Sequence, residues 1–175
     1  DGKVRVLDMR NAAKRVVGEC AAHDLPEKAS CITWAGEHRL LSAGFAKGSQ
    51  RQLRVYDNRK LERGAVASHN MDVSNGAMTL YYDNGTGVVF VAGKGDVSVA
   101  MLELTNEDEK CLHDLTAFRG KDAQTGVCFM PKQSCDVKEV EIARMLKLTV
   151  DNRVEPVRII VPRQRKEYFQ DDVFA

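Results

Sequence analysis

A five-residue strand pattern returns three times along this chain. Val4-Arg5-Val6-Leu7-Asp8, Leu53-Arg54-Val55-Tyr56-Asp57 and Val99-Ala100-Met101-Leu102-Glu103 align position by position, at intervals of 49 and 46 residues. Two other strands keep that register. Ala43-Gly44 falls on Ala92-Gly93, and Cys31-Ile32-Thr33 falls on Ala77-Met78-Thr79. A repeat of about 40 to 50 residues, built from four short strands, is the mark of propeller blades. Few other folds accommodate it.

The repeat divides the chain into units. Residues 22–68 form the most complete one. His23 precedes a strand at Ile32-Thr33-Trp34, and Gly36-Glu37-His38 turns into a second strand at 39–45. A basic loop leads to a third strand at 52–57, and 65–68 closes the unit. Before it, residues 3–8 and 15–20 read as the third and fourth strands of a preceding blade. After it, strands are expected at 77–82, 88–92, 98–104 and 111–118. Asp83-Asn84-Gly85 is the expected turn, because Asn and Gly tolerate positive φ. A last unit has strands at 126–131, 139–148 and 158–162. The second of these fits helix and strand templates alike, and the repeat selects strand.

The expected fold is therefore all-β, a WD-repeat-type β-propeller fragment with about three of seven four-stranded blades. Residues 1–162 are read as a partial propeller and 163–175 as an extension packing on it. An open arc leaves strand edges and apolar faces bare. The chain is thus expected to be part of a longer protein, with the last blade completed by a strand from its N-terminal region.

Charge and composition exclude several functions. The 175 residues carry a formal net charge of +1, far from the basic excess of a general nucleic-acid binder. No run approaches the ~20 apolar residues of a membrane-spanning helix. Five cysteines occur at irregular spacing without a Cys-x-x-Cys pair, and read as reduced thiols. They do not cluster with the histidines as zinc ligands do.

No set of residues converges as an active site would, so neither enzyme chemistry nor a cofactor is expected. His23 lies where a blade holds a structural histidine, with Ser42 and an aspartate as expected partners. Asp1 and Asp96, each three residues before its repeated strand, read as turn-stabilising carboxylates. Gly93-Lys94-Gly95-Asp96 lacks the longer phosphate-loop pattern and reads as a hairpin turn. Trp34, inside an apolar strand, reads as core.

Binding is the class that remains. Loops between second and third strands emerge on one propeller face and carry Lys47, Arg51 and Lys94. Loops between third and fourth strands emerge on the other and carry Arg10, Lys14, Arg59, Lys60 and Arg63. Either cluster suits an acidic protein partner.

Several short motifs carry a more specific likeness. They are Arg51-Gln52, Gly93-Lys94-Gly95-Asp96, Phe129-Met130-Pro131-Lys132, Glu141-Ile142-Ala143-Arg144, Glu155-Pro156-Val157, Val161-Pro162-Arg163 and Phe169-Gln170-Asp171-Asp172-Val173-Phe174. In this order, and over the whole chain, they resemble the C-terminal half of the coronin propeller and the start of the segment beneath it. The resemblance implies a seven-bladed, non-catalytic regulator of the cytoplasmic actin cytoskeleton. It implies binding to actin filaments and to the actin-nucleating complex of actin-related proteins. It also implies oligomerisation through a coiled coil outside this sequence. The alternative is a generic WD-repeat scaffold for another complex or a membrane-traffic assembly. The Trp-Asp pair usual in such repeats is replaced by Leu7-Asp8, Tyr56-Asp57 and Leu102-Glu103. Tyr168, Phe169, Val173 and Phe174 are too apolar for a solvated linker. They are expected to dock under the blades, with Phe169 as anchor.

Overall fold

The computed structural model describes residues 2–11, 15–107 and 110–174. The readings of Asp1 and Lys14, and the last residue Ala175, lie outside them. The described chain folds into four antiparallel sheets in sequence order. β1 (Lys3–Leu7) pairs with β2 (Val16–Ala21). β3 (Cys31–Ala35), β4 (Arg39–Ala46), β5 (Gln50–Asp57) and β6 (Ala67–Val73) make a four-stranded meander. β7 (Met78–Asp83), β8 (Val88–Gly93), β9 (Ser98–Leu104) and β10 (Leu112–Asp114) make the next, and β11 (Phe118–Arg119) also pairs with β9. β12 (Gln124–Phe129), β13 (Glu141–Thr149) and β14 (Val154–Ile160) make the last. Helix among the described residues is confined to short 3₁₀ turns.

The two-residue period of a strand decides how the sheets stack. β8 is buried along its whole length. Val89 and Val91 point back onto Leu41, Ala43, Leu53 and Val55 of the second sheet. Val88, Phe90 and Ala92 point forward onto Ile142, Ala143, Met145 and Ile159 of the fourth. A strand buried on both faces reads as a continuous apolar run, and Val88-Val89-Phe90-Val91-Ala92 is one. At the forward seam Phe129 stacks on Tyr81 with ring centroids 4.1 Å apart and tilts against Phe90 at 5.0 Å. Burying one such ring contributes about 1.5–3 kcal/mol. A smaller cluster, Val4 with Leu40, Tyr56 and Leu61, joins the first two sheets.

The repeat-based outline holds, including strand rather than helix for β13, which pairs with β12 and β14 along its length. Three local expectations do not. The positive φ in the turn between β7 and β8 falls at Gly87 (φ 70°), not at Asn84 or Gly85, and the Gly87 N–H donates to Asp83 O at 2.9 Å. The fourth strand of the third sheet breaks into β10 and β11, both on β9.

Trp34 is not core: it is 53% exposed and neighbouring Ile32 is 52% exposed. Cys31 and Ala35 take the face of β3 that meets the third sheet. Ile32 and Trp34 take the opposite face, where the two strands of the first sheet do not cover them. They line an open cavity of about 360 Å³ with Arg5, Val6, Leu7 and Leu40.

Candidate functional site

The polar groups sort by whether the fold consumes them. His23 is 8% exposed, and its Nε2 lies 2.8 Å from Ser42 Oγ. The Ser42 hydroxyl lies 3.3 Å from Tyr56 OH, so the three side chains form one buried hydrogen-bonded chain. Tyr56 takes the place of the expected aspartate. Nδ1 has no hydrogen-bond partner among the described residues. Burial, helped by the Arg54 charge, lowers the His23 pKa to about 4. Gly44 makes room for the ring: a Cβ there would overlap it. This is a neutral, packed histidine, and its role is structural.

Arg51 does not belong to a rim. It is 4% exposed, because its side chain leaves β5 on the same face as Leu53 and Val55, into the seam with the third sheet. There Nε donates to Asp72 Oδ1 at 2.6 Å, Nη2 closes a bidentate pair on Asp72 Oδ2, and Nη1 lies 2.7 Å from Asp96 Oδ2. Asp96 is therefore a tie across the seam and more than a turn carboxylate. Its turn is the expected hairpin, with Gly95 at φ 90°. Gly93 is bare because a Cβ would overlap both Arg51 and Asp96.

Other ties repeat the theme. Arg39 donates to the carbonyls of Thr105, Asn106 and Glu107 on the third sheet's loop. Gln124 Nε2 reaches back to Gly93 O at 3.1 Å and Ser98 O at 3.0 Å. Lys132 Nζ bonds Asp83 at 2.5 Å and Ile142 O at 2.8 Å.

The fully buried Glu141 is gripped by Arg144, by Arg158 Nε at 3.1 Å and by the Asp136 N–H at 2.8 Å. The Arg144 hydrogen bond leads in holding its carboxyl down to about 2. The Glu-Ile-Ala-Arg motif is thus a buried charge with its counter-ion. Among the described residues no group of three His, Cys, Asp or Glu is placed to hold a metal ion.

Four of the six rim candidates are exposed cations with no ion pair to a neighbouring sheet among the described residues. Lys47 sits in the connection between β4 and β5, and Lys94 in that between β8 and β9. These connections leave their sheets at the same end. Lys60 and Arg63 sit at the opposite end, in the 3₁₀ segment Asn58–Arg63. Arg59, beside them, is exposed but folds back on Asp57, Nη2 to Oδ2 at 2.9 Å. That contact leads in lowering the Asp57 pKa to about 2.

The tail docks by other residues than expected. Val173 and Phe174 pack against the cluster between the third and fourth sheets. Phe169 is 66% and Tyr168 65% exposed, so Phe169 is not the anchor. Its ring lies 6.2 Å from that of Phe174 and covers it from outside. An Arg163–Asp172 ion pair closes the loop, and Lys166 Nζ meets Glu139 at 2.9 Å, so the turn directs Val173 and Phe174 inward.

Sheets of one repeat, packed face to face and tied across their seams, suit a ring of blades. Residues 154–175 match a family model described as a type of WD40 repeat. The coronin-like protein of Saccharomyces cerevisiae is 35% identical over 176 residues, covering 99% of this chain. Human Coronin-7 is 37% identical over 175 residues, again covering 99%. The crystal structure of the WD40 domain of Toxoplasma gondii coronin superposes with a TM-score of 0.87 at 31% identity, over 98% of this chain. This segment belongs to the coronin family. Its sheets are blades of a coronin-type WD-repeat propeller. The chain spans 26% of the yeast coronin-like protein, 18% of human Coronin-7 and 44% of the Toxoplasma coronin chain. The WD40 match includes residues 163–174, so the coronin tail continues the last repeat in sequence while β14 ends at Ile160.

Proposed function

We propose that this chain is part of a non-catalytic interaction propeller that associates with actin filaments in the cytoplasm. The likeness to coronins along its whole length carries the reading. The perturbed groups support it: His23, Asp57 and Glu141 are each occupied by a structural partner, which leaves exposed cations as the chemistry offered to other molecules. On this reading residues 1–162 supply blades and 163–175 a strap beneath them. The actin-nucleating complex of actin-related proteins is a second partner, and self-association uses a coiled coil outside this segment.

Filaments are acidic, so exposed lysine and arginine steer approach, and the effect weakens as salt rises. The test is co-sedimentation of the full-length protein with actin filaments. Reversing Arg59, Lys60 and Arg63 to Glu lowers the bound fraction at low salt, and the difference shrinks at high salt. Reversing Lys47 and Lys94 tests the opposite face. Unchanged binding in both variants at low salt would place the filament contact outside this segment.

A further inference from the structure

A cleft of about 310 Å³ opens between the second and third sheets, on the outer side of their shared seam. Its floor is aliphatic, from Met71, Val91 and Ala100 on β6, β8 and β9. Its inner end is closed by Arg51 between Asp72 and Asp96. Its outer end is flanked by His69 and Asp114, with Nε2 and Oδ1 3.2 Å apart. Three carboxylates against one guanidinium, with histidine counted as neutral, leave these walls at −2, although the chain as a whole is +1. The charge reaches solvent: the side chains of Asp72 and Asp114 are 57% and 74% exposed.

We propose that this cleft binds an arginine side chain presented by an extended segment of a partner protein. The aliphatic floor suits its methylene stem, as amphipathic side chains lay their stems on apolar surface and keep the charge outward. Asp114 meets His69 through Oδ1 and Asp96 meets Arg51 through Oδ2, which leaves the second oxygen of each carboxylate without an ion pair among the described residues. A planar guanidinium addresses separated carboxylate oxygens better than a point-charge ammonium does. The site stands apart from the rim cations and independently of the filament reading, since an arginine donor complements acid, not base.

The test uses the full-length protein with its histidine rings isotope-labelled. The His69 ring signal, assigned through His69→Gln, is followed by NMR while Nα-acetyl-arginine amide is added, with the citrulline and lysine amides in parallel. The expected result is a saturable shift with arginine, weaker with lysine and absent with citrulline. Asp114→Asn weakens the arginine affinity about fivefold, the upper end for a partly exposed charge pair. Its melting temperature stays unchanged, because the residue is solvent-facing. An equal response to citrulline, an equal response to lysine, a motionless His69 signal, or full affinity in Asp114→Asn would each overturn the proposal.

Discussion

Arg51 shows how far a residue's setting can overrule its type. From sequence it is one more cation beside a loop. In the fold it is the best-buried guanidinium of the seam, held by two carboxylates from different sheets. Removing one partner of a buried pair costs about 3–5 kcal/mol, and less here because Asp72 is half in water. Arg51→Ala is expected to lower the melting temperature by several degrees, and Arg51→Glu by more.

His23 makes a pH prediction at the same scale. Its folded pKa, about 4, lies below the ordinary 6.5, so the unfolded chain binds the proton more tightly. The stability it contributes is fully present above pH 6.5 and is lost as pH falls from 6.5 toward 4. That gap is worth up to about 3 kcal/mol. Melting temperature measured between pH 7 and pH 4 should fall more steeply in the parent protein than in His23→Gln. Parallel curves would remove the histidine from the acid response.

At the scale of the element, the repeat made most strands legible, because a buried blade strand must be apolar and its position recurs. Breaks in a strand left little trace: Leu115-Thr116-Ala117 does not announce the gap between β10 and β11. The tail was legible as apolar but not by side. Phe169 and Phe174 are alike in type, and the Arg163–Asp172 pair turns only the second inward. Phe174→Ala in the full-length protein should therefore lower the melting temperature by several degrees, with Phe169→Ala costing distinctly less. The opposite order would mean that the strap is held by its outer ring. Of the candidate site, the exposed lysines were readable from loop position. The cleft between the sheets was not, since its walls come from five strands and only packing brings them together.

For the molecule as a whole, the seams between sheets matter more than the sheets. Ile32 and Trp34 form the one wide apolar opening described above. Trp34 is the only tryptophan, so its fluorescence reports on that face alone. Expressed on its own, the segment is expected to self-associate there, with Trp34 emission shifting to the blue as concentration rises. Ile32→Lys should suppress both effects. Emission independent of concentration would show that the face stays solvated.

The tie through Arg51 bears on how such proteins can be recombined. By period alone the units look like interchangeable modules. Yet Arg51 and Asp72 lie in one unit, and Asp96, with the bare Gly93 that admits the guanidinium, lies in the next. A chimaera joined between residues 73 and 78 inherits a lock from one parent and a key from the other. An incoming unit with alanine at position 93 drives a methyl group into the guanidinium, and one without the carboxylate at 96 strands a buried charge. Neighbouring blades are therefore matched pairs, and shuffling succeeds only when these four positions travel together.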